Sequence, residues 1–132
     1  MLADRARAAT AALAGRPLGG SPSDLSQALG DAAVLFDAGL HFEVHEVLEP
    51  HWAISQGETR DALQGLIQAA VGFQHLANGN LPGARSLLLD AARRLHGRTL
   101  LGRHLEAFAR AADEAAAHVA RGEAVSTPTF PR

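Results

Sequence analysis

From Ala62 to Ala84 the chain carries no Asp, Glu, Arg or Lys, and this stretch constrains the fold more than any other. A helix from about Thr59 to Asn78 is apolar almost all round, so something must enclose it. Lipid is a poor enclosure, because Gln64, Gln68, Gln74, His75 and Asn78 interrupt the run and their polar groups would go unsolvated. Neighbouring helices of the same chain explain it better, and no membrane partner is expected. Gly65 and Gly72 fall on one side, where a partner helix can approach closely.

The rest of the chain supplies such neighbours. Alternating β-branched and aromatic runs are absent, tyrosine is absent, and Ala and Leu recur at helical spacing. The expected fold is all-α, a compact multi-helical single domain of five to six helices around a central buried helical hairpin. Residues 2–14 predict an Ala-rich helix closed by Gly15, followed by a connector to Gly20. Ser21-Pro22-Ser23-Asp24 is a start signal for a second helix, whose stripe of Leu25, Ala28, Leu29, Ala32, Leu35 and Phe36 runs to Gly39. The third spans about Phe42 to Ser55. Pro50 lies inside it and cannot donate to the carbonyl of Glu46, which predicts a kink or an early end. After the central helix, Gly79 and Asn80 mark a stop and a cap, and Ala84, Leu87, Leu88, Ala91, Ala92 and Leu95 form the fifth stripe, stopped by Gly97. A sixth helix from about Arg103 to Arg121 carries Leu105, Phe108, Ala109, Ala112 and Ala116 on one face. The organisation reads as an N-terminal helix and connector (1–20), a helical core (21–122) and a tail (123–132) that is either frayed or pinned by Phe130.

Composition closes off several kinds of chemistry. An apolar fraction of 47% with 20% charged residues belongs to an ordered globular chain. The absence of cysteine excludes disulfides, thiolate nucleophiles and Cys-containing metal sites, and it favours a reducing, cytoplasmic setting. Asp4, Arg5, Arg7 and Arg16 break up the first twenty residues, leaving no signal-peptide core. All twelve basic residues are arginine, so Schiff-base chemistry and a P-loop lysine are also excluded. Charge is uneven: residues 1–80 carry net −5 and residues 81–132 net +3. Arg85, Arg93, Arg94, Arg98 and Arg103 against Asp90 could meet phosphate or nucleic acid. A solvated helix face accounts for them more simply, and a nucleic-acid partner is disfavoured.

The residues that could carry chemistry lie in the run from His41 to Trp52. At about 100° per residue, His41, His45, Leu48, Glu49 and Trp52 share roughly a third of the helix circumference. An imidazole and a carboxylate drawn inward with Leu48 and Trp52 must find partners or cost several kcal/mol. On the central helix Gln64, Gln68 and His75 make a narrow polar stripe, within about 40° of one another. A short connection should fold the third and fourth helices into an antiparallel hairpin. The expected cluster is then His45, Glu49, Gln68 and His75, with His41 or Trp52 at its edge.

Three readings compete for it. The first is a structural network that fixes helix register. The second, not favoured, is a divalent metal on His45, Glu49 and His75; the i, i+4 spacing suits it, but no His-Glu-x-x-His is present. The third is a small-molecule site with a His–Glu pair as base and orienter, for which no nucleophile is evident: neither Ser55 nor Ser86 sits in a recognisable elbow. His51, His96, His104 and His118 read as exposed polar residues, and Glu114 with His118 as a surface pair.

Three blocks of sequence add a resemblance. The order Phe36-x-x-Gly39-x-x-Phe42-Glu43-x-His45-Glu46-x-Leu48-Glu49-x-x-Trp52, then Leu63-Gln64-Gly65-Leu66-Ile67-Gln68-x-Ala70, then His75-x-x-x-Gly79-Asn80-x-x-Gly83-Ala84 resembles the bacterial domain-of-unknown-function family 309. The resemblance covers about residues 34 to 96. It implies a compact all-helical fold, no established activity, and a His-x-x-x-Glu-x-x-Trp motif that maps onto His45, Glu49 and Trp52; Pro50 departs from the family's uninterrupted helix. The functional expectation is a small-ligand or metal site at His45, Glu49, Trp52, Gln68 and His75, with catalysis and cofactor unassigned. Its rival is a non-catalytic interaction module that dimerises through Gly- and Ala-rich helix faces.

Overall fold

Leu35, Phe36 and Gly39 show how the sequence ends its first described helix. The computed structural model describes residues 22–132; the expected helix over 2–14 lies outside them. Helix α1 (Pro22–Asp37) stops where Gly39 takes φ +83°, so that Gly39 donates to the Phe36 carbonyl at 2.9 Å and Leu40 to that of Leu35 at 2.9 Å. Only a residue without Cβ enters this left-handed conformation cheaply. Helix α2 (His41–Ile54) follows at once and continues through Pro50. The expected early end does not occur. Pro50 lies on the exposed side, and Ser55 Oγ donates to the His51 carbonyl at 2.7 Å just past the last turn.

Helix α3 (Gly57–Ala77) is the central one, with Leu63, Leu66, Ala69, Ala70 and Phe73 all buried. Asn80 caps α4 (Leu81–Leu95), its Oδ1 accepting from the Gly83 amide at 3.3 Å. The α3 glycines set the distance between these two helices. A Cβ on Gly65 would stand 2.7 Å from Leu95 Cδ2, and one on Gly72 3.0 Å from Leu88. The contacts run in opposite senses along the two helices, which therefore pack antiparallel. The glycine face expected to receive a helix receives α4 of the same chain, and it is consumed inside the molecule rather than offered to a dimer partner.

A feature without sequence warning follows. Strands β1 (Thr99–Leu100) and β2 (Arg103–His104) pair antiparallel, Thr99 opposite His104 and Leu100 opposite Arg103. Their two-residue turn has φ +47° at Leu101 and +80° at Gly102, the left-handed pair that suits strand twist. Helix α5 (Glu106–Ala120) therefore begins three residues later than Arg103. The all-α class stands, with five helices among the described residues.

The tail is pinned. Phe130 is 1% exposed and packs against Phe36 and Phe108, with ring centroids 5.6 Å apart in each case. Phe73 meets Phe36 edge-on at 5.8 Å, so four of the five phenylalanines form one aromatic core. His41 joins its edge, 4.5 Å from the Phe36 ring. The Phe130 amide donates to Asp37 Oδ1 at 3.1 Å, Arg132 pairs with the same carboxylate, and Arg103 Nη1 donates to the Pro131 carbonyl at 2.7 Å. Among the described residues no helix is long and apolar enough to cross a membrane.

Candidate functional site

The polar residues of α3 turn with its glycine seam. Gln68 lies about 60° from Gly65 and about 40° from Gly72 around the helix, so it faces α4. Its Nε2 donates to Asp90 Oδ2 at 2.5 Å. Asp90 also accepts from Arg93, one turn away, and from Arg94 Nε at 3.2 Å. Arg94 reaches back across the seam with Nη1, 2.5 Å from Asp61 Oδ1, and Arg98 Nη2 lies 2.5 Å from Asp61 Oδ2. Arg98 Nε donates to the Arg94 carbonyl at 2.5 Å. The result is a continuous, partly buried lattice with three guanidinium groups against two carboxylates.

Its charges are held in place by these bonds. Burial works to raise the Asp90 carboxyl, but hydrogen bonds from Gln68, Arg94 and Arg93 outweigh it and hold the group below the usual carboxylate range. Burial likewise works to lower Arg94, and the bonds to Asp61 and Asp90 raise it instead. Arg94 and Arg98, which the sequence offered for phosphate or nucleic acid, are engaged with Asp61.

The other expected site residues part company. His45 Nε2 donates to Glu49 Oε2 at 2.7 Å, an i, i+4 pair whose side chains are 31% and 52% exposed. That pair was legible from spacing, but the expectation that this face turns inward fails: Glu49 is exposed and His45 and Trp52 are only half-buried, because the helix buries His41, Val44 and Leu48 instead. The His45 Nδ1 is buried with no hydrogen-bond partner, as is Gln68 Oε1. His75 lies near the far end of α3, its Nδ1 3.3 Å from Asn80 Nδ2. Gln68 is thus engaged with Asp90 and His75 with Asn80, rather than either with His45 and Glu49. The reason is rotational: the stripe sits beside the glycine seam, so close approach of α4 claims it. Among the described residues no three His, Asp or Glu side chains are grouped to hold a metal ion. His118 pairs with Glu123 at 2.8 Å.

Trp52 leads to a cleft that the sequence did not reveal. Half-buried near the end of α2, it carries the Arg60 guanidinium 4.3 Å above its ring. Trp52, Gly57, Arg60, Asp61, Gln64 and Arg94 line a cleft of about 290 Å³. Arg60 pairs with no carboxylate among the described residues. The α3 N-terminus opens here with Gln56 as N-cap and no side-chain cap, which leaves its first amides as unmatched donors. Asp90 and Arg94, at i, i+4, had a local signal for their pairing. Asp61 had none, since its partners lie more than thirty residues on.

Residues 29–87 match the family model described as Domain of unknown function (DUF309). The match covers 59 of the chain's 132 residues, and over them the chain is similar to that family. The DUF309 segment runs from within α1 to within α4, and so includes His45, Glu49, Trp52, Arg60, Asp61 and Gln68 but not Asp90, Arg94 or Arg98. No curated protein and no solved structure matches the chain.

Proposed function

We propose that this protein is a non-catalytic binding module that takes a small organic anion, a carboxylate or a phosphate, in the cleft beside Trp52. The observation that carries this reading is the Arg60 guanidinium, held over the Trp52 ring and free of any carboxylate among the described residues. The ring face covers one side of the guanidinium and leaves its N–H groups for an anion, which a guanidinium can meet with two parallel hydrogen bonds. The surroundings favour negative charge. Asp61 is already matched by Arg94 and Arg98, and the uncapped N-terminal amides of α3 add partial positive charge at the Gly57 end of the cleft.

The residues indicated by sequence take different roles in this site. Trp52 is the platform for Arg60. Glu49 and His45 continue along the same edge of α2, where Glu49 can accept from a hydroxyl or amine at the far end of a ligand. Gln68 acts from beneath by holding Asp90. His75 lies outside. The structural network is therefore the scaffold of the cleft rather than its rival, and it accounts for Gln68, Asp90, Arg94 and Asp61 together.

Trp52 is the only tryptophan, so its emission reports on this cleft alone. Titration with citrate and with inorganic phosphate should give a saturable change with at least one of them, weakened by added salt. Arg60→Gln should weaken it by about tenfold or more, a loss of roughly 1.4 kcal/mol, while His75→Ala leaves it unchanged. No saturable change with either anion, or an undiminished one in Arg60→Gln, would overturn the reading.

A further inference from the structure

We infer that the exposed face of α2 docks into the groove on the outer side of α4 in a second copy of this chain. The two surfaces are complementary in charge and in spacing. Helix α2 carries Glu43, Glu46 and Glu49 and no arginine, and Glu43 and Glu46 pair with no cation among the described residues. Phe42 stands among them, 51% exposed. Helix α4 carries three arginines and one acid, Asp90, which is already bonded within its own chain. Its outer side forms an open groove of about 640 Å³ lined by Pro82, Arg85, Leu89 and Arg93 among others, Leu89 being 40% exposed; Leu81, next to Pro82 in the chain and outside that lining, is 43% exposed. Arg85 pairs with no carboxylate among the described residues.

The spacing sets a register. Phe42, Glu46 and Pro50 recur every four residues on α2, and Leu89, Arg85 and Leu81 recur every four residues in the opposite sense on α4. Each step is about 6 Å, and such i±4 rows are the ridges that helices interdigitate. An antiparallel crossing places Phe42 on Leu89, Glu46 on Arg85 and Pro50 on Leu81. Glu46 and Arg85 then form one ion pair flanked on each side by an apolar contact. Because the two faces differ, the contact is heterologous: a chain that docks by α2 still offers α4, so association grows past a dimer into a ring or an open chain.

Sedimentation at rising protein concentration and low salt tests this. Wild-type mass should rise above the 13.8 kDa of the single chain. Glu46→Arg alone and Arg85→Glu alone should each hold the protein at that monomer mass, and the two reversals combined in one chain should restore association. Both positions are exposed, and circular dichroism of each variant verifies that it is folded. A wild-type protein that stays monomeric overturns the inference. So does association that survives both single reversals, or a double reversal that fails to restore it. Neither reversal touches the Trp52 cleft, so the anion titration stays independent of this result.

Discussion

Asp90 concentrates the residue-scale energetics, because one carboxylate serves Gln68, Arg93 and Arg94 at once. Its folded pKa lies below the ordinary value. The stability that this contributes is therefore complete above the unfolded pKa, near pH ~4, and is lost as pH falls through the lower folded value. Asp90→Asn should cost roughly 1–2 kcal/mol at neutral pH, and the difference from wild type should shrink toward pH ~2. Urea denaturation of both proteins at the two pH values checks it; a difference that stays constant would show that the ionised carboxylate contributes nothing. At this scale the sequence was partly legible. His45 with Glu49 and Asp90 with Arg94 are both one helical turn apart, and local periodicity exposes such pairs. Arg60 on Trp52 joins two helices across a short connection, where no periodicity applies.

Elements were legible where a stripe of apolar residues ran for two turns or more. The stripes of α1, α4 and α5 and the apolar cylinder of α3 gave the helices their extents, and the stop signals at Gly39, Gly79 and Gly97 lie at the residues that bend the chain. The β1–β2 hairpin escaped because two-residue strands are too short to show alternation. Its only mark is Gly102 after a leucine that adopts φ +47°. Gly65 carries the clearest element-scale prediction. Alanine in place of glycine inside a helix ordinarily gains about 1 kcal/mol. Here the new methyl would stand 2.7 Å from Leu95 Cδ2, 2.8 Å from its Cγ and 3.1 Å from Arg94 Cβ, and Leu95 is fully buried. Overpacking costs roughly 1–3 kcal/mol, so Gly65→Ala should be destabilising in net, by about 1 kcal/mol. A variant that melts higher than wild type would mean that α4 can shift outward freely.

At the scale of the whole molecule, the pinned tail turns a set of helices into one closed core. Phe130 completes the aromatic cluster of Phe36, Phe73 and Phe108, while Asp37 and Arg103 hold the backbone on either side of it. Phe130→Ala should cost about 3–5 kcal/mol, read as a shift in the denaturation midpoint with an unchanged slope. A cost below about 1 kcal/mol would show the tail to be an ornament on a core that closes without it. By itself the sequence determined the all-α class, the extent of most helices, the buried status of α3 and the His45–Glu49 pair, since each rests on the helical period, a property of neighbours in the chain. Only the tertiary structure decided which polar groups meet. Gln68 went to Asp90, and Asp61 to Arg94 and Arg98, because the rotation of α3 about its axis is set by where Leu88 and Leu95 press against its glycines. That fit between two surfaces has no signature in either helix alone.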